Sequence, residues 1–313
     1  MAKRTVTGLM LALLLAIAAV WAFFEQKTVN SCIFSVMGTI CECRFEMKEK
    51  DFKAAVNEVK AAFDGVIKIA NLHDKNSELA RLNASAHEKP FVCSEELYYL
   101  LKTSREAYKI SGGRFDISVK PLMNLWGFYC KEKEIPDENT LKQTRRLCGL
   151  DKVVFDDKKR TVFFTVKGMA LDLGGIAKGY ALDAAVKRLA DRGIIIDSGV
   201  LNLGGNLWLF GKDRICNIGI KDPSDPQKIK THISLSAPGA VSSSGDYERY
   251  VVIRNKKFGH IIDPLSGTPA VRDHAATVFA ARGIDSDWMS TVLFLGGEDI
   301  KNKLDCQSWI ILK

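Results

Sequence analysis

The stretch Ala170-Leu171-Asp172-Leu173-Gly174-Gly175-Ile176-Ala177-Lys178-Gly179-Tyr180-Ala181-Leu182 reads as an apolar strand that breaks at two glycines and restarts at once as a helix. Such a break lets the main chain approach an anion without interference from a Cβ, and the N–H groups that open the helix point toward it. Lys178 adds a cation in the first turn. A tight connection with a surface lysine is the other reading of the same residues, and the stretch alone leaves both open.

Working outward, the helix is predicted to run to about residue 191, where Gly193 ends it. Downstream, residues 194–196, 200–208, 215–220, 231–235, 250–253, 276–279 and 309–312 read as strands. Asp285 or Ser286 can cap a late helix that reaches residue 295, before Gly296-Gly297. Upstream, residues 36–45 alternate as a strand. From Asp51, a plausible N-cap, Phe52, Val56, Val59, Phe63, Val66 and Ala70 recur at spacings of four and three, the stripe of an amphipathic helix. Ser94 caps a second helix over 95–110 that stops at Gly112-Gly113, and residues 153–155 and 161–166 flank an Asp-Asp-Lys-Lys turn as a hairpin. Helices and antiparallel strands come in runs with no strict βαβα alternation, which predicts an α+β domain of two layers, mixed sheets and helices.

The 313 residues are 47% hydrophobic, 26% charged and 9% aromatic, enough to bury a large core and contrary to disorder. A net charge of +8 is scattered, with no basic stripe and no aromatic-plus-basic motif, so nucleic acid is not the expected partner. Lys3 and Arg4 precede an uncharged run over 5–24 that ends at Glu25 and Lys27. About twenty such residues suffice to span a bilayer as one apolar helix, and the leading positive charge places everything after it outside. Bulky Trp21, Phe23 and Phe24 favour a retained membrane anchor over a cleaved signal peptide, with residues 1–30 as anchor and linker and 31–313 as one catalytic domain. The eight cysteines show no Cys-x-x-Cys pair and no metal-ligand spacing.

Asp287 and Thr291 stand four apart on the late helix and face one way. A carboxylate and a hydroxyl suit Mg²⁺ when phosphate oxygens complete its shell; otherwise Asp287 merely complements the helix N-terminus. His260 and Asp263 flank a turn built from Pro264, Gly267 and Pro269, which makes them candidates for proton transfer. His73, His87, His232 and His274 have no such setting. Ser242, Ser243 and Ser244 can contact a ligand or simply turn the chain, and Trp126 and Phe128 read as core aromatics that could also stack on a heterocycle.

In this order, Met37-Gly38-Thr39, Gly113-Arg114-Phe115-Asp116, Asn124-Leu125-Trp126-Gly127, Asp172 through Gly179, Asn202 through Asn206, Ser244 through Arg249, His260 through Pro264 and Asp287 through Thr291 resemble the landmarks of the ApbE family of flavin transferases. The resemblance implies an Mg²⁺-dependent enzyme that takes FAD and attaches its FMN half, through a phosphoester, to a Thr or Ser hydroxyl of a partner protein, releasing AMP. It implies that Met37, Phe115, Asp116, Asp172, Lys178 and Ile261 line the FAD site, and that the Gly175 carbonyl joins Asp287 and Thr291 on magnesium. Arg114 departs from the small residue expected at its position. The partners so implied are subunits of membrane redox complexes carrying a short Asp-(Ser/Thr)-Gly-(Ala/Ser)-Thr acceptor site, met on the outer (periplasmic) face of a bacterial inner membrane. A metal-dependent FAD pyrophosphatase, with water in place of the hydroxyl, and a non-catalytic flavin-binding protein are the alternatives.

Overall fold

Strand alternation and helical stripes are both realised, in a computed structural model that describes residues 27–129 and 133–313. A hairpin of β1 (Lys27–Val36) and β2 (Thr39–Lys48) runs into α1 (Glu49–Ala70), followed by α2 (Glu78–Ser85), β3 (Phe91–Val92), α3 (Glu95–Ile110), α4 (Lys120–Leu125) and α5 (Glu138–Arg145). The hairpin β4 (Val153–Asp156) and β5 (Thr161–Phe164) precedes α6 (Ala177–Asp191), β6 (Ser198–Leu203) and β7 (Asn206–Phe210). Then come β8 (Ile215–Lys221), β9 (Ile229–Ser236), β10 (Gly239–Ser244), the small hairpins β11 (Tyr250–Ile253) with β12 (Lys256–Gly259) and β13 (Ile262–Asp263) with β14 (Thr268–Pro269), β15 (His274–Ala280), α7 (Gly283–Gly296), α8 (Glu298–Lys301) and β16 (Gln307–Leu312).

Seven strands form one antiparallel sheet in the order β1-β2-β6-β7-β10-β15-β16. Along β2, Cys41, Cys43, Phe45 and Met47 are buried while the residues between them face outward, the period-two pattern of a strand covered on one side. The cover is α1, through Val56, Val59, Phe63 and Val66, and α6, through Ala181, Leu182, Ala185 and Leu189. Farther along the same layer α7 packs on β10 and β15. On the other face the β8–β9 hairpin lays Ile220, Ile233 and Leu235 against Leu209 and Val241. The predicted α+β, two-layer architecture holds.

Helix ends follow local chemistry. The Ser94 side chain accepts the Leu97 N–H at the start of α3, and Gly112 and Gly113 follow its end at positive φ. Five expectations need correction. The helix read from a cap at Asp51 begins earlier, at Glu49, which puts Asp51 inside its first turn. The strand read over 36–45 is the junction of two strands, turned by Met37 (φ 51) and Gly38 (φ 68). The strand read over 200–208 is likewise a hairpin, because Gly204 (φ 60) and Gly205 (φ 93) supply the two left-handed residues of a tight turn. Residues 194–196 join no sheet. The apolar stretch before Gly174 is no strand either: the Leu171 N–H donates to Asn83 Oδ1 (2.7 Å), Asn83 Nδ2 donates back to Leu171 O (2.9 Å), and the Asp172 N–H donates to Ile117 O (2.7 Å). One asparagine side chain satisfies the backbone that a sheet would have paired. The expected N-terminal apolar helix and Cys130 lie outside the described residues, and among those described no helix is long and apolar enough to cross a membrane.

Candidate active site

Two glycines bring the reactive helices together. A Cβ on Gly179 of α6 would sit 2.1 Å from Gly283 O of α7, and one on Gly283 would sit 2.4 Å from Gly179 O. Only glycine permits that approach. At the crossing, Asp183 of α6 accepts the first two N–H groups of α7, Gly283 (2.6 Å) and Ile284 (2.8 Å). The cap expected from Asp285 or Ser286 is therefore supplied by another helix, while Asp285 pairs with Arg282 (2.6 Å). Burial raises the Asp183 carboxyl to about 6.

One turn on, Asp287 Oδ2 accepts the Gly179 N–H at 2.8 Å, so this carboxylate is buried at the helix crossing and not on an open helix face. The serines of β10 fix the helix register: Ser242 Oγ meets Ser286 Oγ and Ser244 Oγ meets Ser290 Oγ, each at 2.8 Å. Ser244 also reaches Thr291 Oγ1 at 3.4 Å. A Cβ on Gly175 would meet Phe115 Cε2 at 3.2 Å and Thr291 Oγ1 at 3.8 Å, so the glycine turn passes directly against these two side chains.

These groups open on one cavity of about 290 Å³, at the small end of ligand clefts. Of the expected residues, Phe115, Asp116, Asp172, Gly175, Lys178, His260, Ile261, Asp287 and Thr291 line it. Met37 does not. Its side chain packs between two core clusters from the β1–β2 turn, and Thr39 takes the wall position beside it. Asp263 is also off the wall: its carboxylate pairs with Arg272 (2.9 Å) and accepts the Leu265 N–H (3.0 Å), which orders the turn after His260.

His260 is held by the Arg249 carbonyl, which accepts its backbone N–H at 3.0 Å and lies 3.2 Å from Nδ1. A carbonyl only accepts, so Nδ1 carries the proton and Nε2 keeps the lone pair. Burial first, then the cations Lys178 and Arg249, lower this imidazole to about 4, so it is neutral at neutral pH. Asp116 accepts the Ser118 N–H (2.8 Å) and Oγ–H (2.6 Å), and burial raises it to about 6.

The helix start offers an anion less than the sequence led us to expect. The Gly174 N–H is taken by Asp172, Ile176 and Ala177 donate to Leu173 O, and Gly179 donates to Asp287. Positive charge on the wall comes from Lys178, Arg249 and Arg114. Asn206 Oδ1 holds Lys178 Nζ at 3.3 Å, leaving its own buried Nδ2 without a hydrogen-bond partner among the described residues.

Tyr129 escaped the sequence reading. Its hydroxyl donates to Asp172, and burial pushes the phenol well above its ordinary value. The aromatic run Trp126-Gly127-Phe128 pointed to this loop, but Trp126 is core, packed on Phe258 with its indole N–H on Gly267 O (2.9 Å).

Among the described residues no three of His, Cys, Asp and Glu gather as a metal cage. Of the oxygen donors on the cavity wall, the Asp287 carboxylate, the Thr291 hydroxyl and the main chain at Gly175 make a sparse set that fits a Mg²⁺ sharing its shell with phosphate. The ApbE family model matches residues 37–307. The chain belongs to the ApbE family. Its relatives include the FAD:protein FMN transferases of Treponema pallidum (31% identical over 84% of this chain and 77% of the relative) and Haemophilus influenzae (27% over 95% and 88%). Among solved structures, the ApbE protein of Thermotoga maritima superposes with a TM-score of 0.83 (27% identity, 91% of this chain, 94% of the other). The flavin transferase ApbE of Vibrio cholerae does so at 0.79 (25%, 92% and 94%). As an ApbE-family member the chain is an enzyme, a transferase.

Proposed function

We propose that this enzyme transfers the FMN half of FAD to a Ser or Thr hydroxyl of a protein, with Mg²⁺ in the site, and that it does so outside the inner membrane, held there by the N-terminal segment over residues 1–30. The convergence of Lys178, His260, Gly175, Asp287 and Thr291 on one cavity carries this reading. Family membership and the relatives named for that activity support it. The anchor rests on the charge and hydropathy of the leader alone. An exported enzyme of this kind would meet subunits of membrane redox complexes as acceptors.

Asp287, Thr291 and the Gly175 carbonyl would hold the cation, which when bound draws charge from the diphosphate. Lys178, steadied by Asn206, holds phosphate oxygens. The acceptor oxygen bonds to the FMN-side phosphorus as the bond to AMP breaks, and the hydroxyl proton passes to His260 Nε2. At about 4 the imidazole is a weak base in the free enzyme, but a diphosphate beside Lys178 and Arg249 offsets their charge and raises it. Asp263 acts at a distance, by ordering the turn that presents His260.

The test is incubation with FAD and Mg²⁺, with and without an acceptor polypeptide, measuring AMP release and the mass added to the acceptor. AMP appearing with stoichiometric FMN on the acceptor is the expected result. AMP release at the same rate without acceptor would make the enzyme an FAD pyrophosphatase, and FAD binding without AMP a flavin carrier.

A further inference from the structure

We propose that the outer face of the β1–β2 hairpin is the groove in which the acceptor polypeptide docks, an inference that rests on the transferase reading above. A second concavity of about 470 Å³ adjoins the active-site cavity and shares Thr39, Gly204 and Glu248 with it as walls. Its floor is a row across three strands: Ile33 pairs with Glu42, and Glu42 with Asn202. These side chains lie on the face opposite the buried Cys41 and Cys43.

Elsewhere the β8–β9 hairpin covers this face of the sheet. Over β1 and β2 the cover stops, with Lys221 and Gln227 forming a rim. Ile33 is left 66% exposed and Ile40 61%. Ile33 and Ile40 offer apolar contact among the polar groups of Glu42, Asn202, Lys221 and Gln227, a mixed surface of the kind an extended peptide binds. Transfer requires a protein hydroxyl at the reacting phosphorus, and a groove walled by the same Thr39 and Glu248 leads a chain there. The occupant is therefore a segment of the acceptor, extended across β1 and β2 with its hydroxyl residue at the Thr39 end.

The experiment uses the full chain with FAD and Mg²⁺, and a fluorescent synthetic peptide containing Asp-Ser-Gly-Ala-Thr as the probe. Binding is read by anisotropy, FMN attachment by mass, and assembly by sedimentation. Ile33→Asp and Ile40→Asp should each weaken peptide binding and raise its KM about tenfold, the effect of losing one apolar contact, with FAD affinity unchanged. Val29→Asp, 62% exposed on the same strand but outside the groove, should change neither. Unaltered peptide binding in both isoleucine variants, or equal weakening by Val29→Asp, overturns the groove and leaves the transferase reading standing. Groove-dependent binding without FMN attachment supports the groove and defeats the transferase reading. No binding and no labelling by the wild type overturns both. A dimer that Ile33→Asp dissociates, with peptide binding intact, shows a second copy on this face and overturns the proposal.

Discussion

Asp287 serves two purposes with one carboxylate: Oδ2 fastens α7 to α6 through the Gly179 N–H, and the group lines the cavity. Asp287→Asn keeps the shape and an acceptor for that N–H but removes the charge a cation needs. It should abolish AMP release with little change in melting temperature. Asp287→Ala also strands a buried N–H, so it should lose activity and a further 1–3 kcal/mol or so of stability in denaturant titration. For His260, the folded value of about 4 lies below the ordinary 6.5, so the unfolded chain binds more protons between them. Stability contributed by the neutral ring is thus present above about 6.5 and lost as pH falls toward 4. Lys178→Met removes one of the cations that depress the ring, so NMR titration of FAD-free enzyme should place His260 above its wild-type value. His260→Ala should lower kcat for transfer far more than it weakens FAD binding, as expected of a group acting on the proton.

Between elements, the α6–α7 crossing decides whether the site exists. Gly179→Ala drives a methyl into Gly283 O and Asp287 Cβ, contacts of 2.1 and 2.7 Å that belong to backbone and a buried side chain. The helices must separate, at an overpacking cost of about 1–3 kcal/mol, and Asp287 moves with them. Calorimetry should show a lower melting temperature together with near-complete loss of turnover. Asp183→Ala leaves two α7 N–H groups without their cap and should cost about 0.5–2 kcal/mol. Long helices were readable because their stripes repeat: Val56, Val59, Phe63 and Val66 are all buried as predicted. The helices α2, α4 and α5 span eight residues or fewer and repeat too little to be seen, and Met37-Gly38 and Gly204-Gly205 turn strands that their flanking apolar residues run together.

At the scale of the molecule, the cavity draws its walls from positions 39, 114–129, 172–178, 204, 243–249, 260–264 and 287–295, so a ligand there ties the main core, through Phe115, Ile117 and Leu295, to the smaller cluster of Met123 and Ile262. FAD at a hundred times its Kd should stabilise the whole fold by about 2.7 kcal/mol, read as a single shifted thermal transition. A ligand effect confined to one of two separate transitions would contradict that. Nine of the eleven expected site residues line the cavity: Lys178, His260, Asp287 and Thr291 are written in short local patterns of glycine turns and helical spacing, whereas Phe115, Asp116, Asp172, Gly175 and Ile261 followed from the family resemblance. Local pattern also determined the α+β class and the family resemblance. What the sequence left open is whatever depends on which strangers meet: the burial of Asp287, the Asp183 cap, Tyr129 on Asp172, the withdrawal of Met37 and Asp263 from the wall, and the uncovered floor at Ile33 and Ile40. Those are contacts between residues tens to hundreds of positions apart, and only the packing of the sheet against its helices brings them within reach of one another.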